Sequence, residues 1–265
     1  ISSEIEIIPA LPNWLEERLS EEFKNNLKDN YRSILDEPRF DIRINDHLTD
    51  RDKILKLLNQ NNISAKKTTY SPLGITIKKR VLEKKIRKIK QNLFEVQDEA
   101  SQIVTLLSGA KKGMKVLDYC AGKGTKTLAL YERMKATGDI FAYDVDEDRL
   151  KTLRKRLRYL RVNNRINILN NKNFHKNFDL ILLDVPCSGS GVWRRRPEEI
   201  IKLDLTKYKK NLKTQANILR KAASFINKNG SISYITCSVF ADENEMQIKN
   251  FLSNNKAFKL IDINL

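Results

Sequence analysis

The chain has 265 residues, which is enough for one large domain or for a large domain joined to a smaller one. Its formal net charge of +17 predicts a polyanionic partner, and nucleic acid is favoured over a membrane because no run approaches the roughly 20 apolar residues of a membrane helix. Three cysteines without a C-x-x-C pair, and two histidines distant from them, argue against a disulfide framework and a zinc site and indicate a reducing, cytoplasmic setting. The alternative source of the charge is coding bias, since lysine, asparagine and isoleucine are all abundant.

The residues up to about 92 combine helix and strand patterns. The predicted elements are a helix from Asn13, a strand over 40–44, a helix over 50–60 and short strands near 68–70 and 73–77. Asn13 is expected to cap its helix, with Glu16 three residues further on. A helix is also predicted over 78–90, where eight of thirteen residues are Lys or Arg, with a solvated face as the alternative. Residues 1–92 are therefore predicted to form a small α+β domain with a basic linker helix.

From Met114 onward, short apolar runs alternate with helical patterns. The predicted strands cover 114–118, 140–143, 166–169, 178–183, 231–235 and 258–263. One predicted helix follows the turn after the first strand and ends at about Lys135. Three more cover 146–161, 211–226 and 242–251. The helix over 146–161 has leucines on one stripe and basic residues on most of its remaining surface. This alternation is typical of a parallel sheet covered by helices, so residues 93–265 are predicted to form an α/β domain.

A turn with two glycines, the glycine turn of residues 118–127, follows the first strand of this domain and opens a helix. It reads Asp-Tyr-Cys-Ala-Gly-Lys-Gly-Thr-Lys-Thr. Gly122 and Gly124 allow a ligand to approach the backbone closely, and the helix N-terminus behind them favours polar or negative groups. Asp144, about twenty residues beyond Gly124 at the end of the second strand, is placed to accept hydrogen bonds from ribose hydroxyls. The turn therefore indicates a nucleotide-like ligand, with a turn that binds nothing as the alternative.

Three classes of ligand are compatible with a turn of this kind. A phosphate-binding P-loop needs G-x-x-x-x-G-K-[ST], which the glycine turn does not match. A nicotinamide dinucleotide favours G-x-G-x-x-G, and Thr127 stands where the third glycine belongs. S-adenosylmethionine has a ribose but no phosphate, so a looser turn suits it. We therefore predict S-adenosylmethionine as the cofactor, with a nicotinamide oxidoreductase as a rival interpretation.

Two of the three cysteines follow predicted strands of the same sheet. Cys187 lies in Asp-Val-Pro-Cys-Ser-Gly after the fourth strand, and Cys237 lies in Thr-Cys-Ser after the fifth. If these strands are parallel neighbours, both thiols emerge at the carboxyl edge of the sheet, where open α/β folds bind ligands. Two thiols there suggest covalent chemistry, with two small buried residues as the alternative. Cys120, in the glycine turn, is predicted to be structural or to contact a ligand through its backbone.

Methylation at C5 of a pyrimidine is a reaction that needs such a thiol, because this carbon is barely nucleophilic by itself. A thiolate that adds to C6 makes C5 reactive toward a sulfonium methyl group, after which a base removes the C5 proton and the thiol leaves. The predicted catalytic residues are Cys187, Cys237, Asp184 and Lys126. Asp184 ends a strand beside Cys187, and the positive charge of Lys126 favours a thiolate.

The motifs taken together resemble those of the Sun/Fmu-type (RsmB/NOL/Sun) RNA (cytosine-5) methyltransferases. The matching segments are 96–102, 118–127, 184–191, 236–238 and 243–245. The resemblance implies a Rossmann-like class I methyltransferase sheet, a small N-terminal RNA-recognition-type domain and RNA, most simply ribosomal RNA, as the substrate. It also implies that Cys237 is the nucleophile and that Cys187 assists product release, an assignment that spacing alone does not make.

The same resemblance implies a set of residues at the cofactor. They are Cys120, Ala121, Gly122, Lys123, Gly124, Thr125, Lys126, Asp144, Arg149, Asn170 and Asp184. Two positions depart from the family pattern: Lys123 stands where a proline is common, and Asn170-Asn171 stands where an aspartate usually faces the adenine amino group. The family fold usually adds a seventh, antiparallel strand, so we expect a domain without its last strand or a piece of a longer protein.

Three consecutive arginines follow the Cys187 segment. Arg194, Arg195 and Arg196 are predicted to hold phosphates around a base turned out of its stack, with a solvated basic loop as the alternative. The sequence therefore predicts a cytoplasmic, monomeric RNA cytosine-C5 methyltransferase that uses no metal. An RNA-binding assembly factor with the same fold and no activity is the second rival interpretation.

Overall fold

The computed structural model describes residues 11–78, 86, 92–162, 164–170 and 177–263. By its contacts, this part of the chain divides into two compact units. The sheet unit comprises residues 39–185, 218–235 and those from Leu260, and the helical unit comprises the described residues up to Pro38, 186–217 and 236–259. The predicted domain boundary between residues 92 and 93 does not coincide with this division by contacts, and it stays a prediction. The predicted basic helix over 78–90 lies almost wholly outside the described residues.

One part of the sheet unit is a small antiparallel sheet, which confirms the predicted α+β character. Its strands are β1 (Phe40–Ile44), β2 (Ala65–Lys67), β3 (Gly74–Ile77) and β4 (Phe94–Val96), in the order β2-β3-β1-β4. The helix Arg51–Gln60 contributes the buried side chains of Ile54 and Leu58 to the core of this sheet. Asp50 is the N-cap of that helix, because its carboxylate accepts a hydrogen bond from the backbone N–H of Lys53 at 2.8 Å.

The other sheet of this unit is parallel throughout. Its strands are β5 (Lys115–Asp118), β6 (Asp139–Ala142), β7 (Ile166–Ile168), β8 (Phe178–Asp184) and β9 (Ile226–Ile235), in the order β7-β6-β5-β8-β9. The accompanying helices include Glu99–Leu106, Thr125–Arg133 and Glu147–Tyr159, and the helix Leu205–Ala223 precedes β9. The predicted Rossmann-like alternation is confirmed. Strands β8 and β9 are parallel neighbours with Asp184 opposite Ile235, so the two cysteine segments follow adjacent strands.

Two features of the predicted sheet are wrong. Strand β9 begins at Ile226 and not at Ser231, because Ile226 already pairs with Phe178 ahead of an irregularity in the register. The predicted sixth strand over 258–263 is irregular and has no ladder partner among the described residues, and the side chain of Leu260 is 68% exposed. Alternating apolar residues form a stable strand only where a neighbouring strand is available, and the described residues offer this segment none.

The helical unit consists of short helices that the sequence patterns predicted only in part. They are Asn13–Phe23, Leu27–Leu35, Glu198–Lys202 and Glu245–Asn254, with 3-10 turns at 24–26, 190–195 and 241–243 and the first part of the helix Leu205–Ala223. The core of the unit includes Leu15, Trp193, Tyr208 and Phe240, none more than 1% exposed. Trp193 packs edge-on against Phe240, with 6.3 Å between the ring centroids. A large aromatic side chain therefore anchors the chain shortly after Cys187.

Three helix boundaries differ from the predicted ones. Asn13 is the first helical residue and not the cap, because Pro12 occupies the cap position without a side-chain hydrogen bond. The helix predicted over 211–226 begins at Leu205 and ends at Ala223. The helix predicted from residue 242 begins at Glu245, after a 3-10 turn. Within the described ranges, no helix is both long and apolar enough to cross a membrane.

Candidate active site

The glycine turn joins β5 to the helix Thr125–Arg133, as predicted. Gly122 and Gly124 have φ angles of +53° and +84°, which glycine adopts at no steric cost. The backbone N–H of Gly122 donates to Asp144 Oδ2 at 2.7 Å, and the N–H of Asp146 donates to Asp144 Oδ1 at 2.8 Å. Asp144 is therefore held beside the glycine turn just beyond β6, and each of its oxygens retains a lone pair for a ligand hydroxyl.

Gly124 is the N-cap of the helix after the turn, and it lies against Leu153. A Cβ atom at Gly124 would be 2.2 Å from Leu153 Cδ1. Overpacking is therefore expected to make Gly124→Ala about 1–3 kcal/mol more destabilising than Gly109→Ala in the free energy of unfolding, measured by urea denaturation. Gly109 is the matched control because it has a φ of +85° with nothing within 4 Å of its Cβ position. Equal losses in the two variants would contradict this packing argument.

Burial determines the protonation of two other groups in the glycine turn. The Asp118 carboxyl is fully buried and accepts a hydrogen bond from Thr127 Oγ1 at 2.7 Å, while Asp118 Oδ1 has no hydrogen-bond partner in the described part of the chain. Burial raises the pKa of Asp118 to about 7. Burial also raises the pKa of Cys120 well above its ordinary value, so this thiol keeps its proton at neutral pH. A protonated thiol fits the structural role predicted for Cys120 better than a nucleophilic one.

Lys126 and Asp184, both predicted to be catalytic, form an ion pair in the sheet unit. Lys126 Nζ donates to Asp184 Oδ2 at 2.7 Å, and the two side chains are 15% and 35% exposed. The pair connects the first turn of the helix after the glycine turn to the last residue of β8. Lys126 therefore has a carboxylate partner, and its expected effect on a thiolate stays a prediction.

Cys187 and Cys237 form the thiol pair of the helical unit. Their sulfur atoms are 3.3 Å apart, which confirms that the two cysteine segments meet. Cys237 is exposed and Cys187 is partly buried, so the alternative of two small core residues does not hold. The hydrogen bond with Cys237, reinforced by burial, raises the pKa of Cys187 far above its ordinary value. Cys187 therefore holds its proton at neutral pH, and Cys237 is the more accessible sulfur.

Two further predicted cofactor residues lie outside the glycine turn, in the segments that follow β6 and β7. Arg149 is in the first turns of the helix Glu147–Tyr159, and its guanidinium pairs with Asp146 at 3.3 Å. Asn170 is exposed just after β7, and Asn171 lies outside the described residues. Their assignment to the cofactor stays a prediction.

The three consecutive arginines lie in the helical unit, at the end of the 3-10 turn 190–195. Arg195 and Arg196 are exposed, and Arg194 is partly buried. Trp193, which precedes them, is buried in the core of the unit. The arginines are therefore presented from an anchored segment, while their contact with RNA stays a prediction.

Arg156 is a residue of the site that the sequence patterns missed. Its guanidinium donates to the backbone carbonyl of Lys123 in the glycine turn and, at 2.7 Å, to Glu95 Oε2 on β4. By sequence, Arg156 belongs to the basic face of its helix and does not differ from its exposed neighbours. The partner that distinguishes it lies 61 residues earlier, so no local signal could have found it. The contact connects the small antiparallel sheet to the glycine turn within the sheet unit.

The parallel sheet, the glycine turn after its first strand and the carboxylate after the next strand define a Rossmann-like fold of the methyltransferase class. Residues 104–265 match the family model for 16S rRNA methyltransferase RsmB/F, and residues 11–82 match the RsmF/B-like ferredoxin-like domain. The chain therefore belongs to the RsmB/F family of 16S rRNA methyltransferases. This result confirms the family and the fold class that the motifs predicted.

Individual relatives show the same similarity. Ribosomal RNA small subunit methyltransferase B of Photorhabdus laumondii is 29% identical over 262 residues, which cover 94% of this chain and 59% of that protein. The solved structure of PH0851 is 27% identical with a TM-score of 0.89, covering 98% of this chain and 63% of that one. The structure of NSun6 from Pyrococcus horikoshii with SFG shares the fold, with a TM-score of 0.82 at 16% identity over 96% of this chain and 90% of that one. This chain spans less than two thirds of the length of the curated relatives it matches.

Proposed function

We propose that this chain transfers the methyl group of S-adenosylmethionine to C5 of a cytosine in RNA, through a covalent bond between Cys237 and C6 of the base. The observation that carries the proposal is the 3.3 Å distance between the sulfur atoms of Cys187 and Cys237. Membership of a 16S rRNA methyltransferase family, with relatives named as small-subunit rRNA methyltransferases, supports ribosomal RNA as the substrate.

The thiol pair divides the covalent chemistry between two sulfur atoms. The Cys237 thiolate adds to C6 of cytosine, and the ring electrons move toward C5, which thereby becomes nucleophilic. Once C5 carries its methyl group, a base removes the C5 proton, the electrons of the C5–H bond restore the C5–C6 double bond, and the C6–S bond breaks so that the sulfur of Cys237 leaves. Cys187, which holds its proton beside Cys237, is assigned to this release. Asp184, with its partner Lys126, is assigned to the contact with the base.

The sheet unit has a set of groups that fits S-adenosylmethionine. Asp144 is held just beyond β6 with lone pairs available for ribose hydroxyls. Around the Cβ position of Gly122, the nearest heavy atom is Asp144 Oδ2 at 4.0 Å, so a ligand has room to approach this backbone. When bound, S-adenosylmethionine would supply an electrophilic methyl group. The relative solved with SFG, an analogue of this molecule, supports the choice.

The features assigned to RNA binding are the net positive charge of the chain and the three consecutive arginines, residues 194–196. A net charge of +17 favours a polyphosphate, and each phosphate contact releases bound counterions. Arg195 and Arg196 are exposed in the unit that also carries the thiol pair. Attack on C6 requires a base that has left its stack, and phosphate contacts by these arginines would hold the strand in that state.

A methyl-transfer assay tests the proposal directly. The purified chain is incubated with S-adenosylmethionine labelled in its methyl group and with ribosomal RNA that lacks the modification, and the nucleosides are separated after digestion. We expect the label in 5-methylcytidine. RNA binding without transfer would favour the assembly factor, and calorimetric binding of NAD in place of S-adenosylmethionine would favour the oxidoreductase. Either result would overturn the proposal.

A further inference from the structure

Glu243 is a buried carboxylate that holds the segment around Cys187. It is 0% exposed and accepts hydrogen bonds from the backbone N–H of Ser188 at 2.9 Å and from the Ser188 hydroxyl. It also accepts a hydrogen bond from Gln215 Nε2 at 2.9 Å, and the same amide nitrogen donates to the carbonyl of Pro186 at 2.9 Å. One carboxylate and its amide partner therefore hold the residues on both sides of Cys187.

The next residue, Asn244, holds the segment around Cys237. Asn244 Nδ2 donates to the carbonyl of Ser238 at 3.1 Å and to that of Phe240 at 2.9 Å. Asn244 Oδ1 accepts a hydrogen bond from the Thr236 hydroxyl at 2.6 Å, and the Thr236 oxygen accepts one from the N–H of Ser238 at 3.1 Å. A single amide side chain therefore holds the residues on both sides of Cys237.

The two cysteine segments also bond to each other directly. The hydroxyl of Ser238 lies 3.1 Å from that of Ser188 and 3.2 Å from that of Ser190, and the N–H of Gly191 donates to the carbonyl of Cys237 at 2.9 Å. A carboxylate buried beneath this serine cluster is tolerated because donors surround it. A change in the cluster is therefore expected to affect both cysteine segments.

We propose that Glu243 and Asn244 form a clamp that sets the distance between the thiols of Cys187 and Cys237. Both are assigned as positioning residues, because each acts through the cysteine segment that it holds. The consequence for catalysis rests on the proposed function. Loss of the hydrogen bonds to Glu243 loosens the Cys187 segment and slows product release. Loss of the hydrogen bonds to Asn244 loosens the Cys237 segment and slows attack on the base.

An arsenical that needs two thiols tests the clamp without reference to methyl transfer. Phenylarsine oxide condenses with two thiols to form two As–S bonds and one water molecule, and the arsenic stays trivalent. We expect the wild-type chain to bind one equivalent through the thiol pair and Cys187→Ala to lose this binding. Glu243→Gln replaces an acceptor oxygen with a donor facing other donors, and Asn244→Asp removes both amide donors. Each is expected to weaken arsenical affinity roughly tenfold or more, a change that corresponds to one lost hydrogen bond.

Gln247→Ala is the matched control for a general loss of stability. Gln247 is a buried amide on the following helix, and it donates at 3.1 Å to the carbonyl of Leu212, a residue outside both cysteine segments. We expect Gln247→Ala to lower the thermal midpoint and to keep wild-type arsenical affinity. Ser188→Ala is the milder variant if Glu243→Gln does not fold, because it removes only one donor to the carboxylate. Wild-type arsenical affinity in the folded variants of the clamp would overturn the proposal.

A second readout separates the two sides of the clamp. With RNA and S-adenosylmethionine, Glu243→Gln is expected to accumulate a covalent protein–RNA adduct, whereas Asn244→Asp is expected to form it more slowly. A chain that transfers no methyl group but shows the arsenical differences would retain the clamp and lose the proposed function. If the chain transfers methyl groups, and both variants bind the arsenical and form the adduct as Gln247→Ala does, the proposed function would stand and the clamp would be refuted.

Discussion

Cys237→Ala is expected to reduce methyl transfer by at least about 10³-fold, because the substitution removes the sulfur that adds to C6 and leaves C5 unreactive. Binding of S-adenosylmethionine is expected to persist, since the glycine turn and Asp144 belong to the sheet unit and lose no group. Turnover is measured with labelled cofactor, and cofactor binding is measured by calorimetry on the same preparation.

The paired measurements distinguish loss of the nucleophile from loss of the fold. A variant that binds the cofactor with wild-type affinity and transfers no label supports the assignment of Cys237. Transfer at the wild-type rate would refute it and would direct attention to Cys187, whose sulfur lies 3.3 Å away.

Cys187→Ala is expected to trap the reaction after methyl transfer. If Cys187 assists release of the product, its removal leaves the RNA bound to the sulfur of Cys237, and a covalent protein–RNA adduct accumulates. We expect this adduct to survive a denaturing gel and to be many times more abundant than in the wild-type chain. The measurement is the shifted band obtained with labelled RNA in the presence of S-adenosylmethionine.

The double variant Cys187→Ala, Cys237→Ala is the control for the trapped adduct. It is expected to show no shifted band, because the adduct forms through Cys237. A band that persists in the double variant would place the covalent bond on another residue. Loss of activity in Cys187→Ala with no adduct would assign Cys187 a structural role instead.

Much of the parallel sheet could be predicted because its signals are local. The run at 178–183 predicts a strand, and Gly122 and Gly124 predict a turn, which in the structure has φ angles of +53° and +84° at these two residues. The segment 258–263 shows the limit of this reasoning. Its alternation suits a strand, yet strand formation depends on a partner edge that lies elsewhere in the chain.

The candidate site could be predicted less completely than the fold. The motifs identified Cys187, Cys237 and Asp144, because these follow the ends of strands that the alternation predicts. They did not identify Glu243 or Arg156 as supports of the site. Glu243 lies in a segment that matches the family motif, but neither that match nor the basic face around Arg156 indicates which groups these two side chains hold.

The sequence by itself determined the alternation of strands and helices in the parallel sheet, the glycine turn and the presence of two cysteines just after predicted strands, since residues that are neighbours in the chain encode each of these. Only the tertiary structure decided that the two sulfur atoms lie 3.3 Å apart across 50 residues of chain, and that Glu243 bonds to Ser188 across 55. The physical reason is the range of the interactions. Backbone preference and hydrophobic period act within a few residues, whereas a hydrogen bond between side chains depends on where the packed core places two distant segments.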